Sequence, residues 1–398
     1  MAKAKILLVS QFSLPVRGVS PYSDALLEAL IKERELSVHP VDYRAPYPAL
    51  LHPANKKVIS ATGGDLHYGN PFSWRRLARK ETDIIHLQHW LAPMSCYLAP
   101  LASLAKKSGK KIVLTMHNPT PHESLPWTRP FERWLISKAD VIVVHNKSGV
   151  AALNKFFHNK ENKVILIPHG INVSSNPQTA SPEDYTNLNL SPSKRYISLF
   201  GNLRGYKGVD VLLDAWSQIY KEIPNVDLVI AGSLWTGKSG FVSRVVAKML
   251  GTNQVAGNIQ RLLSQPELSS RVHLLEGFQP DAKIDSLIRI SNLAIFPYTH
   301  FNSQSGAACR AAGMGCPVLV SKVGGLPDLA INDKWVVSPG DSEALARCLR
   351  TTLGDPSSLS ANRHEQIEHI QNYSWEQVAS EHMELYHTLL ARGRNKKH

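Results

Sequence analysis

Short apolar runs rich in β-branched residues recur along the whole chain, and stretches with helical spacing separate them. This alternation constrains the fold strongly, because nearly continuous apolar strands joined by helices form parallel sheets that are covered on both faces. The runs are KILLVS, DIIHLQH, KKIVLTMH, DVIVVHN and KVILIPHG in the first half, then YISLFG, VDLVIAG, RVHLLEG, LAIFPY, PVLVSKV and WVVSPG in the second. The pattern predicts two doubly wound α/β domains with ligand sites at the carboxyl ends of the strands.

The chain has 398 residues, which is long enough for two domains. The two sets of runs are separated by residues 174–194, which are rich in Ser, Pro, Asn and Thr and lack periodicity. Such a composition is typical of a linker or long connection. We therefore expect a first domain over residues 1–173, a linker over 174–194 and a second domain over 195–372.

The composition is that of a globular protein, with 43% hydrophobic and 19% charged residues. No apolar run approaches the ~18–20 residues of a membrane-spanning helix, and the N-terminal run ILLVS is shorter than the ~7–15-residue core of a signal peptide. The four cysteines have no C-x-x-C spacing, so neither a zinc site nor a disulfide framework is indicated. We expect a cytoplasmic protein.

The formal net charge of +13 indicates an anionic partner. Nucleic acid is not expected, because the sequence has no zinc-finger spacing, basic zipper or RNP-like strand. Phosphorylated substrates and an anionic membrane surface remain as partners that the charge would suit.

Residues 232–239 read GSLWTGKS, which has the form of a phosphate-binding P-loop between a strand and a helix. A P-loop enzyme also needs a second strand that ends in Asp and holds Mg²⁺. The nearby apolar strands end as LLEG, IFPY and VLVSKV instead. A Mg-ATP phosphotransferase that uses Gly232–Ser239 therefore remains an alternative that lacks the expected partner strand.

A second candidate for phosphate binding is the loop in LFGNLRGYKGVDVLLDAW (199–216), which places Arg204 and Lys207 among three glycines before an amphipathic helix. Two cations three residues apart at a helix start suit a pyrophosphate, because side-chain charge and the helix dipole both favour an anion there. The same letters also fit a solvated basic loop.

A third candidate follows LAIFPY, in the segment THFNSQSGAACRAAG. Asn302 and Ser305 are of types that cap helices, and the small residues after Gly306 allow the next helix to pack closely. Exposed N–H groups around Ser305 and Gly306 would bind phosphate oxygens at that helix start. An ordinary capped and buried helix is the other interpretation.

Together these segments resemble the retaining glycosyltransferases of family 4, whose GT-B fold has two Rossmann-like domains facing each other across a cleft. The 199–216 segment looks like the family's G-x-x-R-x-x-K-G motif, and VILIPHGIN resembles its I-P-N-G-V-D at the domain junction. VHLLEGF, NLAIFPY and PVLVSKVGGLPDL follow the family's order, and VLTMHNPTPHE looks like its T-x-H segment. YSWEQVASEHMELYHTLL resembles the closing helix, which implies that residues 373–391 cross back to the first domain.

The resemblance implies catalytic and donor-binding roles for several residues. In the second domain, Arg204 and Lys207 would hold the diphosphate of a nucleotide sugar and stabilise it as it leaves, without a metal ion or other cofactor. The Ser305–Gly306 turn would add backbone N–H groups to the same phosphates. In the first domain, His117 would lie beside the donor sugar, near the reacting centre.

Further residues of the first domain follow from the same resemblance. Gly18, in SLPVRGVSPY, matches the family's N-terminal glycine loop near the donor. His122 and Glu123 come shortly after the T-x-H segment and are candidates for contact with the acceptor.

The sequence departs from the family where two glutamates usually bind the donor sugar and the ribose. The matching positions are Asn302 and Arg310, and neither is acidic. Asn302 has an amide that can hydrogen-bond a sugar hydroxyl, whereas Arg310 suits either a phosphate of the donor or an acidic partner. We expect both residues in the donor site.

Two segments of the first domain suit a membrane surface. PWTRPFERWLISK (126–138) interleaves aromatic and basic residues, and YLAPLASLAKKSGKK (97–111) adds four lysines. Such helices can lie on an anionic bilayer, and many relatives extend lipid-linked acceptors. Docking at the inner face of the plasma membrane is therefore one interpretation, and an amphipathic domain helix with a solvated basic face is the other.

The sequence thus predicts a metal-independent, retaining glycosyltransferase of GT-B fold. It would move a sugar from a UDP- or GDP-linked donor to a growing surface polysaccharide, lipopolysaccharide or glycolipid. Besides the P-loop phosphotransferase, the alternatives are a GT-B protein that binds a glycan or nucleotide sugar without turnover, and a nucleotide-sugar epimerase.

Overall fold

The computed structural model describes residues 3–12, 20–45, 65–119, 126–157, 163–233, 257, 260–354 and 356–394. The chain divides into two units. Unit 1 comprises Met1–Gly170 and Tyr373–His398, and unit 2 comprises Ile171–Asn372. The last helix of the chain thus belongs to the same unit as its beginning.

Unit 1 alternates strands and helices along most of its length. Its elements are β1 (Ala4–Ser10), α1 (Ser20–Lys32), β2 (Leu36–Ala45), β3 (Leu66–His67), α2 (Pro71–Ala78), β4 (Ile84–His89), α3 (Ser95–Lys107), β5 (Lys111–Met116), α4 (Arg129–Lys138), β6 (Val141–Val144), α5 (Lys147–Phe157) and β7 (Val164–Leu166).

The strands of unit 1 form one parallel sheet in the order β3-β2-β1-β4-β5-β6-β7. Successive side chains of β1 face opposite sides of the sheet, as the period of a strand requires. Ile6 and Leu8 pack with α1 and the helix Trp375–Arg394, whereas Leu7 and Val9 pack with α2, α3 and α4. Both faces of the sheet are therefore covered, which explains the nearly continuous apolar strands.

Unit 2 has the same alternation. Its elements are α6 (Pro182–Leu188), β8 (Arg195–Phe200), α7 (Val209–Ile219), β9 (Val226–Gly232), α8 (Pro266–Ser269), β10 (Val272–Glu276), α9 (Asp281–Ile290), β11 (Ser291–Phe296), α10 (Gly306–Gly313), β12 (Val318–Ser321), β13 (Val336–Val337), α11 (Ser342–Gly354) and α12 (Pro356–Ile370), and the chain returns to unit 1 as α13 (Trp375–Arg394).

The strands of unit 2 also form one parallel sheet, in the order β10-β9-β8-β11-β12-β13. In both sheets the first strand lies inside, and the order reverses beside it. This is the arrangement of doubly wound α/β folds, in which ligands bind beyond the carboxyl ends of the strands near that reversal. The predicted class, two doubly wound α/β domains, is confirmed.

The expected linker over residues 174–194 differs from the structure, because it contains α6 and belongs to unit 2. Ser181 and Asp184 form a capping box at the start of this helix. The buried Asp184 carboxylate accepts hydrogen bonds from Ser286 and Arg289, which attach α6 to α9. A helix of seven residues is too short to show periodicity, so composition alone suggested a linker.

None of the helices in the described part of the chain is both long and apolar enough to cross a membrane.

Candidate active site

The loop after β8 holds the two predicted cations, and two glycines fix its path. Gly208 has φ +68°, and a Cβ there would lie 2.0 Å from the Pro297 carbonyl oxygen. Gly232 has φ +149°, and a Cβ there would lie 1.8 Å from the Gly201 carbonyl oxygen. Only glycine fits both positions, so the loop is pressed against the ends of β9 and β11.

Lys207 lies buried at the end of a 3₁₀ turn, Gly205–Lys207. Its ammonium nitrogen hydrogen-bonds the Tyr298 hydroxyl and lies 4.1 Å from the centroid of the Tyr298 ring. Within the described part of the chain, no carboxylate lies within ion-pair distance of Lys207 Nζ. Burial, with a smaller contribution from the nearby Arg204 charge, lowers the pKa of Lys207 to about 7.

Arg204 begins the same turn and is exposed. Among the described residues its guanidinium has no ion pair, in contrast to most buried or half-buried arginines of unit 2. Arg204 and Lys207 therefore offer positive charge at the carboxyl end of β8 that no acidic side chain of the described residues neutralises. An anion is the ligand that such a pair attracts.

The predicted turn at Ser305 and Gly306 is the start of α10, and Ser305 is its N-cap. The Ser305 hydroxyl accepts a hydrogen bond from Ala308 N at 3.4 Å and lies 2.7 Å from the Tyr298 hydroxyl. The hydrogen bonds of this hydroxyl are thus made to other groups of the protein. Gly306 is exposed with open space beside its Cα, and the first amides of a helix have no intrahelical acceptor. The backbone of this turn, rather than the Ser305 side chain, suits an anion.

Arg310 is bound to acidic residues of α9 in the structure. Its guanidinium donates to Asp285 Oδ1 at 2.9 Å and to Asp281 Oδ1 at 2.7 Å, so it binds α10 to α9. Of the two partners considered for this residue, the acidic one is present, and its charge is neutralised. Asn302 lies half-buried in the loop between β11 and α10, close in sequence to the Ser305 turn.

Four predicted positions lie outside the described residues. They are Gly18 in the first unit, His122 and Glu123 after β5, and Lys238 in the P-loop match. Only the first two residues of GSLWTGKS, Gly232 and Ser233, are described. The close approach of Gly232 to Gly201 gives that glycine a reason to be present that is independent of a P-loop.

His117 directly follows β5 in unit 1 and belongs to a hydrogen-bonded chain of buried polar side chains. Its Nε2 lies 2.7 Å from Gln88 Oε1, and its Nδ1 lies 3.2 Å from His145 Nε2. His145 Nδ1 in turn lies 3.0 Å from the Ile167 carbonyl oxygen. Gln88, His117 and His145 stand at the carboxyl ends of β4, β5 and β6, where a parallel sheet brings neighbouring strand ends together.

The chain of histidines is held neutral. Burial, followed by the positive charges that His145 and His169 would carry, holds the pKa of His117 well below its ordinary value. Burial and His169 lower the pKa of His145 to about 3. The edge of the Tyr22 ring packs against His117 with centroids 4.7 Å apart. A neutral imidazole can donate one hydrogen bond and accept another, so His117 suits a polar uncharged group such as a sugar hydroxyl.

Sequence reasoning missed Tyr298, Gln88 and His145. Each lies at or just past the end of a run that was recognised as a strand, LAIFPY, DIIHLQH or DVIVVHN. The rule that ligands bind at the carboxyl ends of parallel strands could have selected these positions. Their contacts with Lys207 and His117 depend on which strands are neighbours in each sheet, and the sequence alone does not show this.

The sequence matches two models of known protein families. Residues 16–175 match Glycosyltransferase Family 4, and residues 182–372 match Glycosyl transferases group 1. A D-inositol 3-phosphate glycosyltransferase of Segniliparus rotundus is 24% identical over 324 residues, which cover 78% of this chain and 67% of the relative. The protein of that name from Corynebacterium glutamicum is 23% identical, with 81% and 76% covered.

Solved structures share the fold. Sucrose-phosphate synthase from Thermosynechococcus elongatus has a TM-score of 0.68 at 19% identity, covering 98% of this chain and 100% of that one. HepE from Anabaena, solved in complex with UDP, has a TM-score of 0.69 at 17% identity, covering 96% and 100%. These similarities confirm the GT-B fold class. With both family domains present around the loops described above, the chain belongs to glycosyltransferase family 4.

Proposed function

We propose that this protein transfers a hexose from a UDP- or GDP-linked donor to a growing surface polysaccharide, lipopolysaccharide or glycolipid, with retention of configuration. The observation that carries the proposal is the pair Arg204 and Lys207. These cations stand five residues or fewer before the start of α7 and have no acidic partner among the described residues. A diphosphate is the part of a nucleotide sugar that would neutralise them.

In the proposed reaction the bond between the sugar and the diphosphate breaks, and negative charge grows on the leaving phosphate oxygen. Arg204 would bind that phosphate through two parallel N–H donors, and the Lys207 ammonium would add a second positive charge. The amides at the start of α10 would complete the site. Groups that are fixed before the reaction stabilise developing charge more strongly than mobile water does. We propose that these groups suffice without a divalent metal ion.

We propose His117 as the contact of the donor sugar in unit 1. Both of its ring nitrogens already have partners, so a sugar hydroxyl must share or replace one of them. The 3.2 Å contact with His145 is longer than the 2.7 Å contact with Gln88 and is therefore the one that a hydroxyl would share more readily.

The first experiment is a thermal shift of the whole chain with UDP, GDP, ADP and Mg-ATP, each with and without EDTA. A ligand at a hundred times its Kd adds about 2.7 kcal/mol of stability, which raises the melting temperature by a few degrees. We expect UDP or GDP to stabilise the wild type with EDTA present. Arg204→Ala should remove the shift, and Arg261→Ala, an exposed arginine elsewhere in unit 2, should keep it.

The thermal shift and two activity assays separate the alternatives. Stabilisation by Mg-ATP alone, removed by Lys238→Ala, would identify a P-loop enzyme and contradict the proposal. Nucleotide binding without release of UDP or GDP from a nucleotide sugar, whatever acceptor is offered, would indicate a binding protein. Conversion of the donor sugar in the absence of any acceptor would indicate an epimerase.

The acceptor class needs its own test. The relatives are named for inositol 3-phosphate and a solved neighbour for sucrose phosphate, so a phosphorylated polyol is the second acceptor class that we propose to compare with a lipid-linked glycan. A net charge of +13 suits either anion. Release of the nucleotide, followed with each acceptor in turn, would choose between them.

We propose further that unit 1 meets an anionic membrane through exposed aromatic residues. Trp127 is 54% exposed, Trp134 is 38% exposed, and Phe72 is 79% exposed. Phe72 lies in the first turn of α2 and Trp127 precedes α4, and helices that follow parallel strands begin at the carboxyl edge of the sheet. The aromatic residues would thus dock near the edge where a lipid-linked acceptor has to bind.

The structure narrows the surface expected from the sequence. Most of the 97–111 segment is α3, whose Leu98, Leu101 and Ala105 are buried in the core. The Lys106 ammonium binds the Asp140 carboxylate at 2.8 Å. The docking surface that we propose is therefore α4 with the start of α2, and not the lysines of α3.

Flotation with anionic vesicles tests this surface. We expect the wild type to float at low salt and less at high salt, because screening weakens its attraction to the bilayer. Replacing Trp127 and Trp134 by Ser should abolish flotation, whereas replacing the exposed Phe278 of unit 2 should not. Wild-type protein that stays at the bottom at low salt would contradict membrane docking.

A further inference from the structure

A hydrogen-bonded relay joins the buried lysine of unit 2 to the start of α10. Lys207 Nζ bonds the Tyr298 hydroxyl, which lies 2.7 Å from the Ser305 hydroxyl, which in turn accepts from Ala308 N. We propose that a nucleoside diphosphate binds here with uptake of one proton by Lys207, and that Tyr298 is the positioning residue that makes this uptake possible. The inference rests on the proposed function, because it concerns the site proposed for the donor diphosphate.

The relay can be satisfied with Lys207 in either protonation state, because a hydroxyl both donates and accepts. When Lys207 is an ammonium, Nζ donates to Tyr298, and the Tyr298 hydroxyl donates to Ser305. When Lys207 is a neutral amine, Ser305 donates to Tyr298, and the Tyr298 hydroxyl donates to Nζ. No atom moves between the two states except hydrogens. The Lys207 nitrogen and the Tyr298 and Ser305 hydroxyls can therefore stay hydrogen-bonded to one another when the lysine is neutral.

The surroundings of Lys207 favour the neutral amine until an anion arrives. Among the described residues, the charged or titratable groups around Lys207 are Arg204 and Tyr206 from its own turn and Tyr298 from the end of β11. Cys309 of α10 lies near the Tyr298 hydroxyl. None of these is a carboxylate, and one of them is a cation. Burial, followed by the Arg204 charge, lowers the pKa of Lys207 to about 7.

The Tyr298 ring is held firmly in place, so its hydroxyl cannot turn away from the lysine. The ring is fully buried, and Phe296, Phe301 and Tyr206 pack against it edge to face with centroids 5.3–6.1 Å away. The hydroxyl of a tyrosine is fixed when its ring is fixed. Tyr298 thus keeps one oxygen at hydrogen-bond distance from Nζ while the proton comes and goes.

A bound diphosphate shifts Lys207 from the neutral amine to the ammonium, because the negative charge beside Nζ stabilises the ammonium. The proton comes from solvent or buffer, and the amine lone pair of Lys207 takes it up. With a pKa of about 7 in the free protein, uptake on binding should be about 0.9 proton at pH 8 and about 0.5 at pH 7. For the same reason the apparent Kd should rise about tenfold between pH 8 and pH 9.

Calorimetric titration with UDP, or with GDP if the thermal shift selects it, measures the uptake. Binding enthalpies in three buffers of different ionisation enthalpy give the number of protons bound at pH 7 and at pH 8. Lys207→Arg keeps a positive charge that does not titrate, so uptake should fall to zero and the affinity should no longer depend on pH above 7. Tyr220→Phe serves as the matched control and should behave as the wild type, because the Tyr220 hydroxyl donates to Glu267 at the far end of α7 from the Lys207 turn.

Tyr298→Phe tests the positioning role. Losing the hydroxyl removes the acceptor of the ammonium in the free protein, which lowers the pKa of Lys207 further. Uptake at pH 7 should then rise from about 0.5 toward one proton, while the affinity falls. If Tyr298 only fills space, Tyr298→Phe should take up as many protons on nucleotide binding as the wild type. That result would overturn the positioning role of Tyr298.

The outcomes separate the inference from the proposed function. UDP or GDP binding with less than about 0.2 proton taken up at pH 8 would overturn proton-coupled binding and leave the nucleotide site standing. Failure of both nucleotides to bind the wild type would overturn the inference together with the proposed function. Equal uptake in the wild type and in Lys207→Arg would assign the proton to another group.

Discussion

Acid should unfold unit 1, because its core holds several histidines in the neutral form. Burial lowers the pKa of His89 and of His382 from 6.5 to about 4, and burial with the His169 charge lowers that of His145 to about 3. As the pH falls below 6.5, the unfolded chain binds protons that the folded chain cannot. The stability that these groups contribute is therefore present above pH 6.5 and is lost as the pH falls toward 4.

The size of this loss follows from the shifts. Each of the three histidines should lower the free energy of unfolding by about 2 kcal/mol at pH 5, relative to neutral pH. Together they remove about 6 kcal/mol, which is a large part of the roughly 5–15 kcal/mol that stabilises a typical domain. Unit 1 should therefore lose much of its stability between pH 6.5 and pH 5.

His382→Leu isolates one of these groups. His382 lies fully buried on α13, its Nδ1 donates to the Val378 carbonyl oxygen at 2.8 Å, and its Nε2 has no hydrogen-bond partner among the described residues. Leucine fills similar space and binds no proton. The slope of the unfolding free energy against pH should fall by about 1.2 kcal/mol per pH unit near pH 5.5.

The assay is urea unfolding of the whole chain at several pH values between 5 and 7.5, with hydrogen exchange of β4 and α13 peptides assigning the transition to unit 1. Val378→Ala is the control, because it opens space on the same helix without removing a titratable group. It should lower stability equally at every pH. Parallel slopes for His382→Leu and the wild type would refute the reasoning, since His382 would then titrate alike in both states.

Three further predictions concern unit 2. Gly208→Ala should cost roughly 2 kcal/mol or more of unfolding free energy in urea, because the added Cβ meets the Pro297 carbonyl oxygen at positive φ; an unchanged midpoint would contradict the close approach. Asp184→Ala should cost about 3 kcal/mol in the same assay, since it leaves the half-buried Arg289 without its partner; a loss below 1 kcal/mol would mean that α6 is held by other contacts. Arg310→Ala should lower the melting temperature yet change the Kd for UDP less than threefold. A loss of affinity above tenfold would mean that Arg310 contacts the donor.

The fold class was predictable because the strands of both sheets are buried on both faces and read as apolar runs. Two strands escaped this reasoning, β2 and β3. The β2 sequence LSVHPVDYRA contains Pro40 and several polar residues, and β3 has only two residues. Both lie toward one edge of the unit 1 sheet, where burial on two faces is incomplete and the apolar pattern fades.

The candidate site was predictable only in part. Arg204 and Lys207 stand in a local motif, so the 199–216 segment by itself was enough to select them. Tyr298 is 91 residues away from Lys207, and His145 is 28 residues away from His117, so their contacts depend on how strands are ordered in each sheet. For Arg310 the local sequence was not enough, because an arginine at this position suits a phosphate and a carboxylate equally well. Only the position of α9 decided between the two partners.

The return of α13 to unit 1 has a consequence for synthesis of the protein. Trp375, Val378 and Tyr386 belong to the same core as Ile6 and Leu8, so that core stays incomplete until α13 has left the ribosome. Unit 2, Ile171–Asn372, is translated in between, which takes on the order of 10–40 s at typical rates of synthesis. During that interval the nascent first unit exposes an apolar groove beside α1, whereas unit 2 is already continuous and can fold first. The N-terminal part of this chain should therefore be the part that depends on chaperones while it is being made.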